Sequence, residues 1–88
     1  MEVYVFHTPG HSPGSVIYKI DEVLFTGDSI FRSSIGRTDF PGGDYNQLIH
    51  SINARILTQS RNSRIYPGHG EDTTVGYELE NNPFLKGM

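Results

Sequence analysis

The chain has no cysteine, which removes disulfides and thiolate zinc sites from consideration. Small exported domains commonly rely on disulfides, so a reducing, cytoplasmic setting is the expectation. A basic run is also missing: seven Lys and Arg residues are scattered among ten Asp and Glu, for a formal charge of −3. Nucleic-acid binding therefore has little electrostatic support. The start, Met1-Glu2-Val3-Tyr4-Val5-Phe6-His7, carries neither a basic region nor a long apolar stretch, so neither a signal peptide nor a membrane span is expected. Hydrophobic residues make up only 35% of the 88 positions. A chain this short buries roughly 60–65% of the surface it exposes when unfolded, so a single domain over residues 1–88 with a thin core is expected.

What is abundant is turn chemistry, with ten glycines and five prolines. Val3 to Phe6 reads as a strand stopped by Thr8-Pro9-Gly10. Residues 15–20 alternate as a second strand. Asp21-Glu22 reads as a two-residue hairpin turn without the preferred glycine. Val23 to Thr26 reads as its antiparallel partner. From Arg32 to Asp44 there is no period, and a loop of that length in a small domain usually carries function. Asp44 to Gln59 is the clearest helix: Asp44 is the expected N-cap with Gln47 as its capping-box partner, and Leu48, Ile49, Ile52, Ile56 and Leu57 form one apolar stripe. Ser63 to Tyr66 reads as a fourth strand, and Thr74 to Asn81 as a short helix capped by Thr74 and ended before Asn82-Pro83. The order β, β, β, loop, α, β, α is that of an α/β layered domain. Four strands with helices on one face would leave the other face uncovered.

Three residues of metal-ligand type sit in tight Gly-bearing turns: His11 in Thr8-Pro9-Gly10-His11-Ser12-Pro13-Gly14, Asp28 after Gly27, and His69 in Tyr66-Pro67-Gly68-His69-Gly70. Each follows a strand, where ligands commonly sit in α/β sheets. Two imidazoles and a carboxylate suit Zn²⁺ and also Fe²⁺ or Mn²⁺. Taken singly, a His in such a turn is ordinarily a hydrogen-bonded loop residue, and an Asp after Gly a turn or helix cap. The spacing itself carries no local metal signature. His7 reads as a packing or supporting residue, and His50, off the apolar stripe, as exposed. Phe40 and Tyr45 near the helix start read as packing before pocket lining.

In order and context these segments resemble the second half of a metallo-β-lactamase-fold hydrolase, most closely the glyoxalase II-like (hydroxyacylglutathione hydrolase) branch. The resemblance runs from about Val5 to Leu85. It rests on Gly27-Asp28-Ser29-Ile30-Phe31, on the run from Ile35-Gly36-Arg37-Thr38-Asp39 to Asp44, on Pro67-Gly68-His69-Gly70, and on Asn82-Pro83-Phe84-Leu85. It implies half of an αβ/βα sandwich. It also implies a first metal site completed by His11, an Asp28 carboxylate bridging two cations, and a second site served by His69. The implied reaction is hydrolysis of a thioester such as an acylglutathione by water activated between the cations. Arg37 is the implied candidate for a substrate carboxylate, against its plain reading as a solvated loop charge.

The His-x-His-x-Asp-His cluster that such proteins carry upstream is not in these residues. Three ligands for two ions leave each under-coordinated, so metal occupancy and activity of this chain alone are the open points. Two functions follow. One is a metal-dependent thioester hydrolase with zinc, iron or manganese. The other is a non-catalytic half-domain whose open sheet face is covered by a separate N-terminal half or, as the favoured expectation for a purified sample, by a second copy in a twofold homodimer.

Overall fold

A computed structural model describes residues 2–85 of the chain. Five strands form one sheet: β1 (Val3–His7), β2 (Val16–Ile20), β3 (Val23–Gly27), β6 (Arg64–Pro67) and β7 (Thr73–Thr74), in that spatial order. β1–β2–β3 is an antiparallel meander, β3 and β6 run parallel, and β7 closes the far edge antiparallel to β6. A separate two-stranded hairpin, β4 (Ile30–Phe31) with β5 (Ser34–Ile35), leaves the end of β3. Helix α1 (Tyr45–Ser51) and helix α2 (Val75–Asn81) complete the fold.

The α/β class is as the sequence indicated, with two additions. The four expected strands are joined by β7, and the hairpin β4–β5 runs from Ile30 into the start of the Arg32–Asp44 stretch, which carries no period. Two-residue strands are too short for an alternation to show. The hairpin is instead recorded in side-chain bonds. Ser33 at its tip takes a φ of 63°, and its amide donates to the buried Glu78 carboxylate at 3.0 Å.

Asp44 caps α1 by accepting from the Gln47 amide. No returning bond from the Gln47 side chain is present among the described residues. The expected helix to Gln59 changes register rather than continuing: residues Ile52–Ile56 widen into a π-helical turn, in which the Leu57 amide donates to the Ile52 carbonyl. Leu48, Ile52 and Ile56 are all fully buried, so the apolar stripe survives this widening, a distortion known chiefly as single π turns. Thr74 caps α2 through the Tyr77 amide, and Asn82 before Pro83 is extended, as the pre-proline restriction requires. The Asp21-Glu22 turn forms as well, with Asp21 at a φ of 53°, a value Asp tolerates better than most residues.

The pleat divides the sheet. Ile17, Leu24 and Ile65 point to the helical side, where they join Leu48, Ile49, Ile52, Ile56 and Val75 in one core. On the opposite side the register sets Val5, Tyr18, Phe25 and Tyr66 in a single cross-strand row. These four are 40–56% exposed, and Phe25 stacks on Tyr66 at 5.8 Å. The apolar second face is thus open in this chain, as the element order implied.

Candidate metal centre

β1, β3 and β6 all end at one edge of the sheet. β1 and β3 share a direction because each is antiparallel to β2, and β6 is parallel to β3. The three predicted ligands are carried on the segments that follow these ends: His11 after β1, Asp28 after β3, His69 after β6. Topology alone therefore brings together residues far apart in sequence. Local bonds complete the convergence. The Gly68 amide donates to the Gly27 carbonyl at 2.8 Å, clasping the turns before His69 and Asp28. The buried hydroxyls of Thr8 and Ser29 meet at 3.2 Å, linking the His11 turn to the Asp28 turn.

Glycine is required where these turns cross. A Cβ on Gly36 would lie 1.8 Å from the Asp28 carbonyl oxygen and 3.3 Å from His11 Nδ1. A Cβ on Gly10, whose φ is 141°, would strike the Leu48 backbone of α1 at 2.3 Å. These approaches seat the His11 loop on α1 and pull the Gly36 segment onto the site.

At the centre the Asp28 carboxylate lies between the two imidazoles. His11 Nε2 is 3.5 Å from Asp28 Oδ2, and His69 Nε2 is 3.5 Å from Asp28 Oδ1. The His11 ring is oriented by a bond of 2.8 Å between Nδ1 and the Arg37 carbonyl oxygen. A carbonyl only accepts, so Nδ1 carries a proton, and Nε2 is the nitrogen turned toward the carboxylate and open to a cation. At 3.5 Å the imidazole and carboxylate atoms are too far apart for a good hydrogen bond. That spacing is close to the roughly 3.3–3.5 Å between donors sharing a tetrahedral cation with bonds of about 2.0–2.2 Å. Nitrogen and oxygen donors, an imidazole whose far nitrogen is anchored on a carbonyl, and a two-oxygen carboxylate between them fit divalent Zn, Fe or Mn. Among the described residues no three such donors close around one point. What the chain offers is two pairs of donors that share Asp28, not a finished cage.

Arg37 touches the site through its main chain. Its guanidinium forks onto Asp39, Nε to Oδ1 at 3.0 Å and a terminal nitrogen to Oδ2 at 3.1 Å. The pair raises the Arg37 pKa and holds the Asp39 carboxyl below its usual range. Phe40 meets the His11 ring edge-on at 5.1 Å, which is the packing role, while Tyr45 is exposed. His7 Nε2 donates to the Pro13 carbonyl at 2.7 Å and so holds the Pro13-Gly14 turn; His50 is exposed.

Sequence reading passed over a cleft of about 450 Å³ beside His69, lined by Phe31, Arg32, Ser34, His69, Gly70 and Glu71. The Phe31 ring lies 6.2 Å from that of His69. Nothing local marks Phe31 or Arg32 as cleft residues, because the hairpin that turns them towards His69 is visible only once folded.

A small α/β layer that sets two imidazoles on either side of one carboxylate at a strand edge is a candidate metal site. The chain belongs to the metallo-beta-lactamase superfamily, whose family model matches residues 1–69. It is 48% identical over 83 residues to the hydroxyacylglutathione hydrolase GloC of Haemophilus influenzae, covering 92% of this chain and 39% of that protein. Among solved structures it superposes on the BLEG-1 B3 metallo-beta-lactamase with a TM-score of 0.93 at 52% identity, over 97% of this chain and 42% of that one. It superposes on TTHA1623 in a di-iron-bound form with a TM-score of 0.90 at 45% identity, over 94% of this chain and 42% of that one. The chain thus spans about two fifths of the length of these proteins, and the match is to their C-terminal part. Among the described residues no helix is long and apolar enough to cross a membrane.

Proposed function

We propose that this chain supplies the carboxylate-bridged half of a dinuclear metal centre for glyoxalase II-like thioester hydrolysis. The observation that carries this reading is the Asp28 carboxylate, with one oxygen facing His11 Nε2 and the other facing His69 Nε2, each at 3.5 Å. In this reading His11 and Asp28 hold one cation, and Asp28 and His69 hold the other. The similarity to GloC supports a thioester substrate, and the similarity to a di-iron protein supports iron beside zinc and manganese. A divalent cation there supplies Lewis acidity toward a carbonyl and brings the ionisation of water near neutral pH.

The chain's own residues prepare that site. The Arg37 carbonyl fixes the His11 tautomer, Gly36 lets the Asp28 main chain approach, and the Thr8–Ser29 contact sets the two turns against each other. With two donors per ion the chain is incomplete on its own, and the remaining ligands come from an upstream half of the same domain.

The test is metal content and acylglutathione hydrolysis, for the chain alone and after mixing with an N-terminal half from a relative. Metal and turnover that appear together on mixing support the reading. Absence of both from a folded, mixed sample refutes it.

The exposed row of Val5, Tyr18, Phe25 and Tyr66 favours a second reading: a non-catalytic half-domain that pairs through this face, with a second copy or with an upstream half. A monomeric mass at micromolar concentration, unchanged by the upstream half, counts against it.

A further inference from the structure

We infer that Arg32, and not Arg37, is the anchor for a carboxylate on the ligand, in the cleft that runs along the hairpin from His69. This deepens the proposed hydrolase reading by naming a substrate class: an acyl compound with an apolar stretch and a carboxylate.

Arg32 is positioned mainly by contacts that do not neutralise its charge. Its guanidinium lies 4.3 Å over the Tyr77 ring, and one terminal nitrogen donates to the Asp72 carbonyl at 3.3 Å. A ring face and a carbonyl orient a guanidinium without neutralising it. The nearest carboxylate is Glu71, with its Oε2 at 3.5 Å from Nε. That side chain is 80% exposed, so the pair is weak and easily displaced. Three of the other four arginines differ: Arg37, Arg61 and Arg64 hold their carboxylates at 3.0, 2.9 and 2.7 Å, while Arg55 lies over the Phe6 ring and outside the cleft. Asp39 already takes the Nε edge of the Arg37 guanidinium with both of its oxygens, and Arg37 is not part of the cleft lining.

The cleft has the makings of a ligand site. About 450 Å³ falls within the usual size of small-molecule pockets. Phe31 forms an apolar wall next to His69, and Arg32 is the adjacent cation. The hairpin that carries both is held firmly. Glu78 accepts from the Ser33 amide, the Thr73 hydroxyl and the Asn82 side-chain amide at 3.0, 2.6 and 2.8 Å. The Asn82 amide also reaches the Ser34 carbonyl at 3.0 Å. A guanidinium pre-set in this way loses little entropy on taking a carboxylate. Glu71 competes for it at the mouth.

Binding of phenylacetate and of its neutral isostere 2-phenylacetamide is measured on the 88-residue chain in chelator, so the outcome does not depend on metal or turnover. Phenylacetate is expected to bind about tenfold more tightly, the size of one hydrogen bond to a charged group. Arg32→Ala is expected to abolish the preference, Arg32→Lys to keep part of it, Glu71→Gln to increase it, and Arg37→Ala to leave it unchanged. Equal binding of the two probes by the unsubstituted chain overturns the proposal without any variant. So does failure of both to bind at millimolar concentration, or loss of the preference in Arg37→Ala but not in Arg32→Ala. A preference that holds while metal content and hydrolysis fail separates this anchor from the hydrolase reading.

Discussion

At the residue scale the site depends on a few atoms. Asp28 is 44% exposed at its side chain and sits outside the core, so Asp28→Ala is expected to leave the fold within about 0.5 kcal/mol of the parent by urea denaturation. Mixed with an upstream half, the same variant is expected to hold much less metal than the parent by elemental analysis after dialysis, because one carboxylate serves both donor pairs. Gly36→Ala is the opposite case. The added methyl overlaps the Asp28 carbonyl, so a loss of about 1–3 kcal/mol is expected, as for other overpacked positions, together with reduced metal retention as the His11–Asp28 spacing opens. The Arg37–Asp39 pair gives a pH dependence. Asp39 is depressed in the folded chain by Arg37, so its contribution is present above its unfolded pKa and fades as the pH falls through the lower folded value. The difference between parent and Arg37→Ala is therefore expected near neutral pH, to begin shrinking at about pH 4 and to vanish only once the pH is below the depressed folded value, when thermal midpoints are compared across pH.

Elements, and not single side chains, set the direction of the cleft. The hairpin β4–β5 has two residues per strand and one backbone ladder, which does not hold a hairpin in water. Glu78 on α2 holds it instead, fully buried with three hydrogen bonds. Glu78→Ala leaves the Ser33, Thr73 and Asn82 donors without their partner, and a loss of about 2–4 kcal/mol is expected. Hydrogen exchange of the Ser33 amide should accelerate by more than that of the core strands if the hairpin detaches first. The apolar stripe of α1 and the caps at Asp44 and Thr74 were legible because each follows from i, i+3 and i+4 spacing or one local bond. The π-helical turn at Ile52–Ile56 and the strand β7 were not, because both answer to packing and pairing partners distant in sequence.

For the molecule as a whole the open sheet face is the dominant feature. Val5, Tyr18, Phe25 and Tyr66 form an exposed apolar row of the kind that marks an interaction surface. If a second copy covers it, sedimentation of the parent chain will show a mass that rises with concentration, and Tyr18→Lys with Phe25→Ser will be monomeric at the same concentrations. The core on the helical side is untouched by these changes, so circular dichroism should be preserved. A parent chain that stays monomeric excludes a second copy on this face; the relatives it matches are more than twice as long.

The sequence by itself determined the α/β class, the main helix and its cap, the open second face and the three metal-type residues in their Gly-bearing turns. Those properties are carried by alternation, helical spacing and turn chemistry, all of which are local. Only the tertiary structure decided that His11 and His69 face opposite oxygens of Asp28, since that depends on β1, β3 and β6 ending at one sheet edge. It also decided what each arginine touches. Arg32 and Arg37 look alike in sequence, but a neighbouring Asp39 engages one, while Tyr77 and the Asp72 carbonyl hold the other beside His69.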